Sequence, residues 1–177
     1  MVASGPNRHG SYMTYEAIHQ YMTDTTISDG TMAACFLSGI EAGLFADDLP
    51  KEWAFKVIED REQPPIEVIE VATAQHRSDL CEALKVVRGS RDLQLAGRIL
   101  LRHIYTELAG GTMSVWIAAS SAERVTRTMS FPERVYFDFM ALYEHLHLAH
   151  DGVYGTIPEV MEDLLASLRL NIGPDVC

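Results

Sequence analysis

Apolar residues recur every three or four positions along most of this chain, which is the spacing that buries one face of an α-helix. The pattern is clearest between residues 29 and 40, where its members are Met32, Cys35, Phe36 and Ile40. Comparable stripes continue through the rest of the sequence. They predict eight or nine helices, with starts near Tyr15, Asp29, Leu49, Pro65, Ser78, Ser90, Thr112, Pro132 and Ile157.

Residues that favour helix ends separate these stripes. The pair Pro64-Pro65 is expected to end one helix and open the next, because proline disfavours the helical conformation in the residue before it but suits a first turn. Ser78 and Ser90 are predicted N-caps. The segments Ser130-Phe-Pro-Glu133 and Thr156-Ile-Pro-Glu159 both have the spacing of a capping box. These signals predict well-delimited helices joined by short loops.

The fold class follows from these helices and from the lack of a strand pair with a hairpin turn. We predict an all-α protein with a single compact domain of about eight helices. The helices are expected to pack as antiparallel hairpins, in an irregular bundle or a short solenoid-like array. Residues 1–12 are predicted to be a flexible lead-in, and residues 13–177 the helical domain.

One segment is ambiguous in this scheme. Val115, Trp116 and Ile117 would suit a β-strand, whereas residues 118–127 have a helical pattern, so we favour a helix. Three glycines, Gly39, Gly43 and Gly97, fall inside helical patterns, where each costs up to about 1 kcal/mol relative to alanine. We expect close packing to explain them.

Composition narrows the range of functions. The formal net charge of −11 disfavours nucleic-acid binding, since neutralising phosphates requires an excess of Lys and Arg. The 47% hydrophobic content argues against disorder. The longest uncharged stretch, residues 108–122, is too short to span a membrane, and residues 1–13 lack the apolar core of a secretory signal. We therefore expect a cytoplasmic protein with no membrane partner.

The charge is unevenly distributed along the chain. Residues 41–70 contain nine acidic and three basic residues, and residues 135–177 contain seven acidic residues and one basic residue. Residues 71–134 between them are net positive by three. The two acid-rich segments would form one negative face if they met in space, and two separate solvated surfaces if they did not.

The densest group of potential ligands lies in the segment from Tyr143 to Asp151. Glu144, His147 and either His150 or Asp151 are three to four residues apart and would share a helix face, where they could bind a metal ion together. The chain has no His-Glu-x-x-His motif, so a zinc-hydrolase site is not indicated. We expect no cofactor and keep this cluster as the alternative metal site.

A second pair, His103 and Glu107, is spaced i, i+4 on the longest predicted helix. It could form a buried acid–base pair, but such spacing is more typical of a polar helix face. The three cysteines, Cys35, Cys81 and Cys177, have neither disulfide-framework nor metal-site spacing. No catalytic residue is predicted.

One stretch has a family likeness. It runs from Trp53-Ala-Phe-Lys-Val-Ile-Glu through Pro64-Pro65-Ile-Glu-Val-Ile-Glu to Arg77-Ser-Asp-Leu, and it covers about a fifth of the chain. This stretch resembles small helical bacterial immunity proteins. The resemblance implies a helical protein that binds and neutralises the toxin domain of a sister cell.

The leading hypothesis is a non-catalytic binding protein that docks a basic protein partner. Its contact carboxylates are expected to be Asp47, Asp48, Glu52, Glu59, Asp60 and Glu62. Trp53 would be an apolar anchor if it were exposed. The alternatives are a small metal-dependent enzyme that uses Glu144, His147 and His150, and a scaffold that self-associates as a homo-oligomer through the aromatic-rich helix from Pro132 to His150.

Overall fold

The computed structural model describes residues 27–173, and every regular element in this range is an α-helix. The lead-in predicted over 1–12 and the helix predicted over 15–22 lie outside the described residues. The all-α class and the single helical domain are confirmed, and the ambiguous segment is helical from Val115 onward. The eight described helices are α1 (Asp29–Glu41), α2 (Asp48–Glu59), α3 (Ile66–Thr73), α4 (Arg77–Val86), α5 (Leu93–Ala109), α6 (Val115–Thr128), α7 (Glu133–His150) and α8 (Ile157–Ile172).

Helices α5 to α8 form a closed four-helix arrangement, here named the C-terminal bundle. Each helix packs on the next one in the chain, and α8 returns to pack on α5. The connecting segments 110–114, 129–132 and 151–156 are short, and short connections place consecutive helices antiparallel. Because α8 closes the ring on α5, this part of the chain is a bundle and not an open solenoid.

Helices α1 to α4 form the second part, here named the N-terminal half. Helices α2, α3 and α4 pack in sequence, while α1 packs on α4 and, across the boundary, on α5. Ten of the thirteen α1 residues are buried. A helix enclosed in this way is apolar on all sides, so the single stripe predicted for it was too narrow. Helix α1 therefore joins the two parts of the core.

Helix α2 rests on an aromatic cluster at this junction. The Phe36 ring centroid lies 5.5 Å from that of Trp53 and 6.2 Å from that of Phe45. A Cβ atom added at Gly39 would lie only 2.1 Å from Cδ2 of Phe45. Close packing at Gly39 is thus confirmed, and its partner is an aromatic side chain from the loop between α1 and α2.

The other two glycines predicted to lie inside helices, Gly97 and Gly43, differ from each other. Gly97 lies inside α5, and a Cβ atom there would be 2.4 Å from Cε2 of Phe131 and 2.8 Å from Cβ of Met129. Gly43 was wrongly placed inside a helix. It follows the end of α1 with a φ of +77°, and a Cβ atom added there would have no neighbour within 4 Å among the described residues. Its backbone conformation, and not packing, accounts for the glycine.

The two predicted capping boxes have opposite outcomes. Thr156 caps α8, and its box is complete because the Glu159 side chain accepts a hydrogen bond from the Thr156 backbone N–H at 2.8 Å. The box at Ser130 was wrong. Helix α7 begins at Glu133 with Pro132 in the N-cap position, where no side-chain cap bond forms. Ser130 lies instead in the exposed turn that follows Met129.

The serines predicted to cap α4 and α5 do not cap them. Helix α4 follows His76, and Ser78 lies inside it. Helix α5 is capped by Asp92, whose carboxylate accepts a hydrogen bond from the Leu95 N–H at 2.8 Å. Ser90 serves a tertiary contact, because its carbonyl accepts hydrogen bonds from the hydroxyls of Ser28 and Thr31 at the start of α1.

Helix α3 buries one side and exposes the other. Ile66 is 61% exposed, whereas Val68, Val71 and Ala72 are buried. Glu67 is buried next to Val68, and its carboxylate lies 2.7 Å from Nε of Arg88. The ion pair accounts for a carboxylate on the inner side, since a buried charge needs a partner.

Candidate functional site

The outward side of α2 carries four side chains in one narrow stripe. They are Asp48, Glu52, Phe55 and Glu59, all exposed, and they lie within about 60° of one another around the helix because each residue advances about 100°. We name this stripe the α2 outer face. It places three carboxylates and one aromatic ring on the same side of the helix.

The buried residues of α2 explain why this stripe faces outward. Leu49, Trp53 and Val57 are spaced i, i+4, i+8 and are buried against the rest of the N-terminal half. Trp53 is only 3% exposed, so it is not an anchor for a partner. Phe55 is 53% exposed and takes that position. Sequence reasoning missed it, although position 55 lies off the i, i+4, i+8 stripe.

The predicted contact carboxylates differ in their pairing. Asp47 lies 3.3 Å from Nη1 of Arg77, which also donates a 2.7 Å hydrogen bond from Nη2 to the Ile40 carbonyl. Arg77, at the start of α4, therefore links Asp47 to the end of α1. The remaining five take no part in the ion pairs formed among residues 27–173, and all are exposed: Asp48, Glu52, Glu59, Asp60 and Glu62.

The structure thus divides the six predicted residues into three groups. Asp48, Glu52 and Glu59 share the α2 outer face, and Asp60 and Glu62 follow in the turn before α3. Asp47 precedes the helix and has a structural partner. Arg61, in the same turn, forms a bidentate ion pair with Asp29 at the start of α1. Its two Nη atoms donate hydrogen bonds of 2.6 and 2.8 Å to the carboxylate.

The second acid-rich segment lies on the C-terminal bundle, whereas the first lies on α2 and α3 of the N-terminal half. The two segments therefore belong to different parts of the molecule. The second one includes an open cleft of about 520 Å³ between α7 and α8. The His145 and Tyr154 rings lie 6.0 Å apart there, and the carboxylates that line the cleft are Glu159, Glu162 and Asp163.

The histidines of the alternative metal site contact aromatic rings. The Trp116 ring of α6 lies 5.0 Å from the His147 ring and 5.7 Å from the His150 ring, each approached by an edge. His147 also contacts Tyr143 at 4.9 Å. Within residues 27–173, no three side chains of His, Cys, Asp or Glu are grouped so that they could hold a metal ion. Glu144, His147 and His150 thus share a helix without forming a ligand set.

The His103–Glu107 pair is also arranged for packing. His103 is buried, its ring lies 5.7 Å from that of Phe45, and burial lowers the pKa of its imidazole while Glu107 partly offsets this effect. The Glu107 carboxylate accepts a 2.6 Å hydrogen bond from the Thr112 hydroxyl at the end of α5. The two side chains therefore have separate structural partners.

Cys35 is a buried apolar element of α1. Its side chain is fully enclosed, and desolvation raises the pKa of its thiol to about 12. Because the reactive form of cysteine is the thiolate, this thiol is unsuited to nucleophilic chemistry.

Two further observations concern the described helices and the comparison of the sequence with known proteins. None of the helices within residues 27–173 is both long and apolar enough to cross a membrane. Comparison with family models, with curated proteins and with solved structures finds no match to this chain.

Proposed function

We propose that this chain is a non-catalytic binding protein that docks a basic protein partner on the α2 outer face and the turn that follows it. The observation that carries the proposal is the stripe itself: Asp48, Glu52 and Glu59 are exposed, outside any ion pair formed within residues 27–173, and on the same side of α2 as the exposed ring of Phe55. Asp60 and Glu62 extend the negative surface. Asp47 contributes less, because it pairs with Arg77.

Charge supports this choice of partner. Carboxylates without internal partners keep their full attraction for Lys and Arg side chains of an approaching protein. The net charge of −11 adds a long-range field of the same sign, which speeds the encounter with a basic surface and repels acidic ones. Both effects weaken as salt screens the charges.

A narrower form of the proposal concerns the biological role. The stretch that resembles bacterial immunity proteins contains most of α2, all of α3 and the first turn of α4. It includes Phe55 and Glu59 of the α2 outer face, whereas Asp48 and Glu52 precede it. We propose that the partner is a toxin domain, neutralised in the cytoplasm. A nuclease toxin would suit this surface, because an enzyme that binds a polyanion needs a basic face.

Affinity capture with charge-reversal variants tests the proposal. The docking variant is Asp48→Lys/Glu52→Lys/Glu59→Lys, and the matched control on the C-terminal bundle is Glu144→Lys/Glu162→Lys/Asp163→Lys. All six positions are exposed, and each triple changes the formal charge by +6, from −11 to −5. Capture from an extract of the source cells is compared at salt of about 0.1 M and about 1 M, where screening lengths are about 10 and 3 Å.

We expect the wild type and the control to retain the same basic protein at low salt, and the docking variant to bind it about 100-fold more weakly. For the narrower proposal, the wild-type chain should also inhibit the toxic activity of that protein. Capture that is indifferent to salt, or an acidic captured protein, contradicts the proposal. Loss of binding in the control but not in the docking variant would move the site to the α7–α8 cleft.

A further inference from the structure

The aromatic ring between Glu52 and Glu59 along the α2 outer face points to a more specific mode of recognition. Resting on the proposed function, we infer that Phe55 is the apolar anchor of the complex. The partner should then present a concave apolar socket bordered by Lys and Arg side chains. This goes beyond charge complementarity, because it requires a particular shape at the centre of the partner's basic surface.

The position of Phe55 on α2 supports an anchoring role. Glu52 precedes it by three residues and Glu59 follows it by four, so each carboxylate lies about one turn away on the same side of the helix. The buried side of α2 is already complete, since Leu49, Trp53 and Val57 fill it. Phe55 is 53% exposed and takes part in none of the aromatic ring contacts found among residues 27–173.

The surroundings of Phe55 match the usual structure of an interface centre. Binding energy concentrates in a few apolar or aromatic side chains that become fully desolvated, and polar groups around them exclude water. A phenylalanine is well suited to this role, because it buries a large area and loses little conformational entropy on binding. The three carboxylates around it can pair with basic side chains at the rim, where charges mainly affect the association rate.

The inference separates two classes of basic partner. A protein with a flat basic surface would be attracted by the carboxylates but would leave the Phe55 ring partly in water. A protein with a basic rim around an apolar socket would bury the ring and dissociate more slowly. Phe55 therefore discriminates among basic proteins through their dissociation rates, whereas the carboxylates raise the association rate of all of them.

A photo-crosslinking residue at position 55 provides the test. p-Benzoylphenylalanine replaces Phe55 in the full-length chain, and the matched control carries it at Phe137, a phenylalanine on α7 that is 47% exposed. After irradiation in source cells, the crosslinked protein is identified, purified and titrated with wild type, Phe55→Ala and Phe137→Ala. Both alanine variants remove an exposed side chain, so their folding is expected to be unaffected.

The inference predicts a basic protein that is crosslinked from position 55 and not from position 137. Phe55→Ala should weaken its binding at least about tenfold through faster dissociation, with the salt dependence unchanged, and Phe137→Ala should bind like wild type. Binding of Phe55→Ala within twofold of wild type overturns the anchor while leaving the proposed function intact. Affinity of the wild type that does not respond to salt overturns the proposed function itself. A crosslink to a second copy of this chain, or none at position 55, also overturns the inference.

Discussion

The two acid-rich segments of this protein use their carboxylates differently. On the N-terminal half, Asp48, Glu52 and Glu59 are outside the ion pairs of the described residues and share a helix face with an exposed phenylalanine. On the C-terminal bundle, Glu159 is engaged in the cap of α8, and the neighbouring carboxylates line a polar cleft. The comparison teaches that an excess of negative charge does not by itself indicate a docking surface. An apolar centre among free carboxylates is the more specific feature.

The largest loss of stability is expected from a mutation in the aromatic cluster on which α2 packs. Gly39→Ala places a Cβ atom 2.1 Å from the Phe45 ring, which is enclosed between Phe36 and His103. We expect a net loss of about 2 kcal/mol in the free energy of unfolding, even after the gain in helix propensity. Denaturant titration provides the measurement.

Gly97→Ala is the control for this change on the C-terminal bundle. Its nearest contacts are the half-buried ring of Phe131 at 2.4 Å and Cβ of the buried Met129 at 2.8 Å. Both residues belong to the short 129–132 connection, which we expect to shift more easily than the enclosed Phe45 ring. The loss should be about 1 kcal/mol, smaller than at Gly39. Equal losses at the two glycines would contradict the difference in rigidity between the two regions.

In the first acid-rich segment, loss of an ion-pair partner should lower stability, whereas loss of an exposed cation outside any ion pair should not. Arg88→Ala leaves the buried carboxylate of Glu67 without its ion pair, so it should cost about 1–2 kcal/mol of stability. Lys56→Ala removes an exposed cation from α2 and should stay within about 0.5 kcal/mol of wild type. If thermal or denaturant unfolding shows both variants to be equal, the Glu67–Arg88 pair has no structural role.

A smaller difference in stability is expected between two alanine substitutions, one at a carboxylate in each acid-rich segment. Glu159→Ala removes both hydrogen bonds that its side chain accepts from Thr156, and we expect a loss of about 1 kcal/mol. Glu52→Ala removes a free carboxylate and should change stability by less than about 0.5 kcal/mol. The same denaturant titration applies, and a destabilised Glu52→Ala would show that the α2 outer face is structural.

The weakest predicted effect concerns pH at the junction between the two parts. Burial lowers the pKa of His103 in the folded state below its unfolded value of about 6.5. The unfolded chain therefore binds the proton first, and stability is lost as the pH falls below about 6.5 towards the folded pKa. Because Glu107 offsets part of the shift, we expect a loss of at most about 1 kcal/mol between pH 7.5 and 5.5.

His103→Leu isolates this contribution. The variant should show a flatter dependence of unfolding free energy on pH over the same range, since leucine cannot be protonated. Identical pH profiles for variant and wild type would mean that His103 has the same pKa in both states.

The fold could be predicted from the sequence where local signals determine it. The α8 cap is an example, because Thr156 and Glu159 satisfy each other within one turn. Ser90 and Ser130 have similar local signals, but tertiary contacts override them. The Ser90 carbonyl binds side chains of α1, and the Phe131 ring packs against Gly97. The enclosure of α1 was likewise set by helices distant in sequence.

The candidate site was predictable only in part. The sequence indicates where carboxylates are concentrated, and five of the six predicted residues are indeed exposed. It does not show that Arg77 is close to Asp47, because the two residues are brought together by the packing of α1 and α4. Which of Trp53 and Phe55 is exposed also depends on packing. The i, i+4, i+8 spacing of Leu49, Trp53 and Val57 nevertheless indicated that Trp53 is buried.

The most direct test of the central claim is the association rate constant with the basic partner, measured at several salt concentrations. The account predicts that the rate falls steeply with salt for wild type and for Glu144→Lys/Glu162→Lys/Asp163→Lys. Asp48→Lys/Glu52→Lys/Glu59→Lys should associate slowly at low salt and lose most of this dependence. Two triple variants with equal rates at every salt concentration would contradict the claim, because only net charge, and not the α2 outer face, would then guide binding.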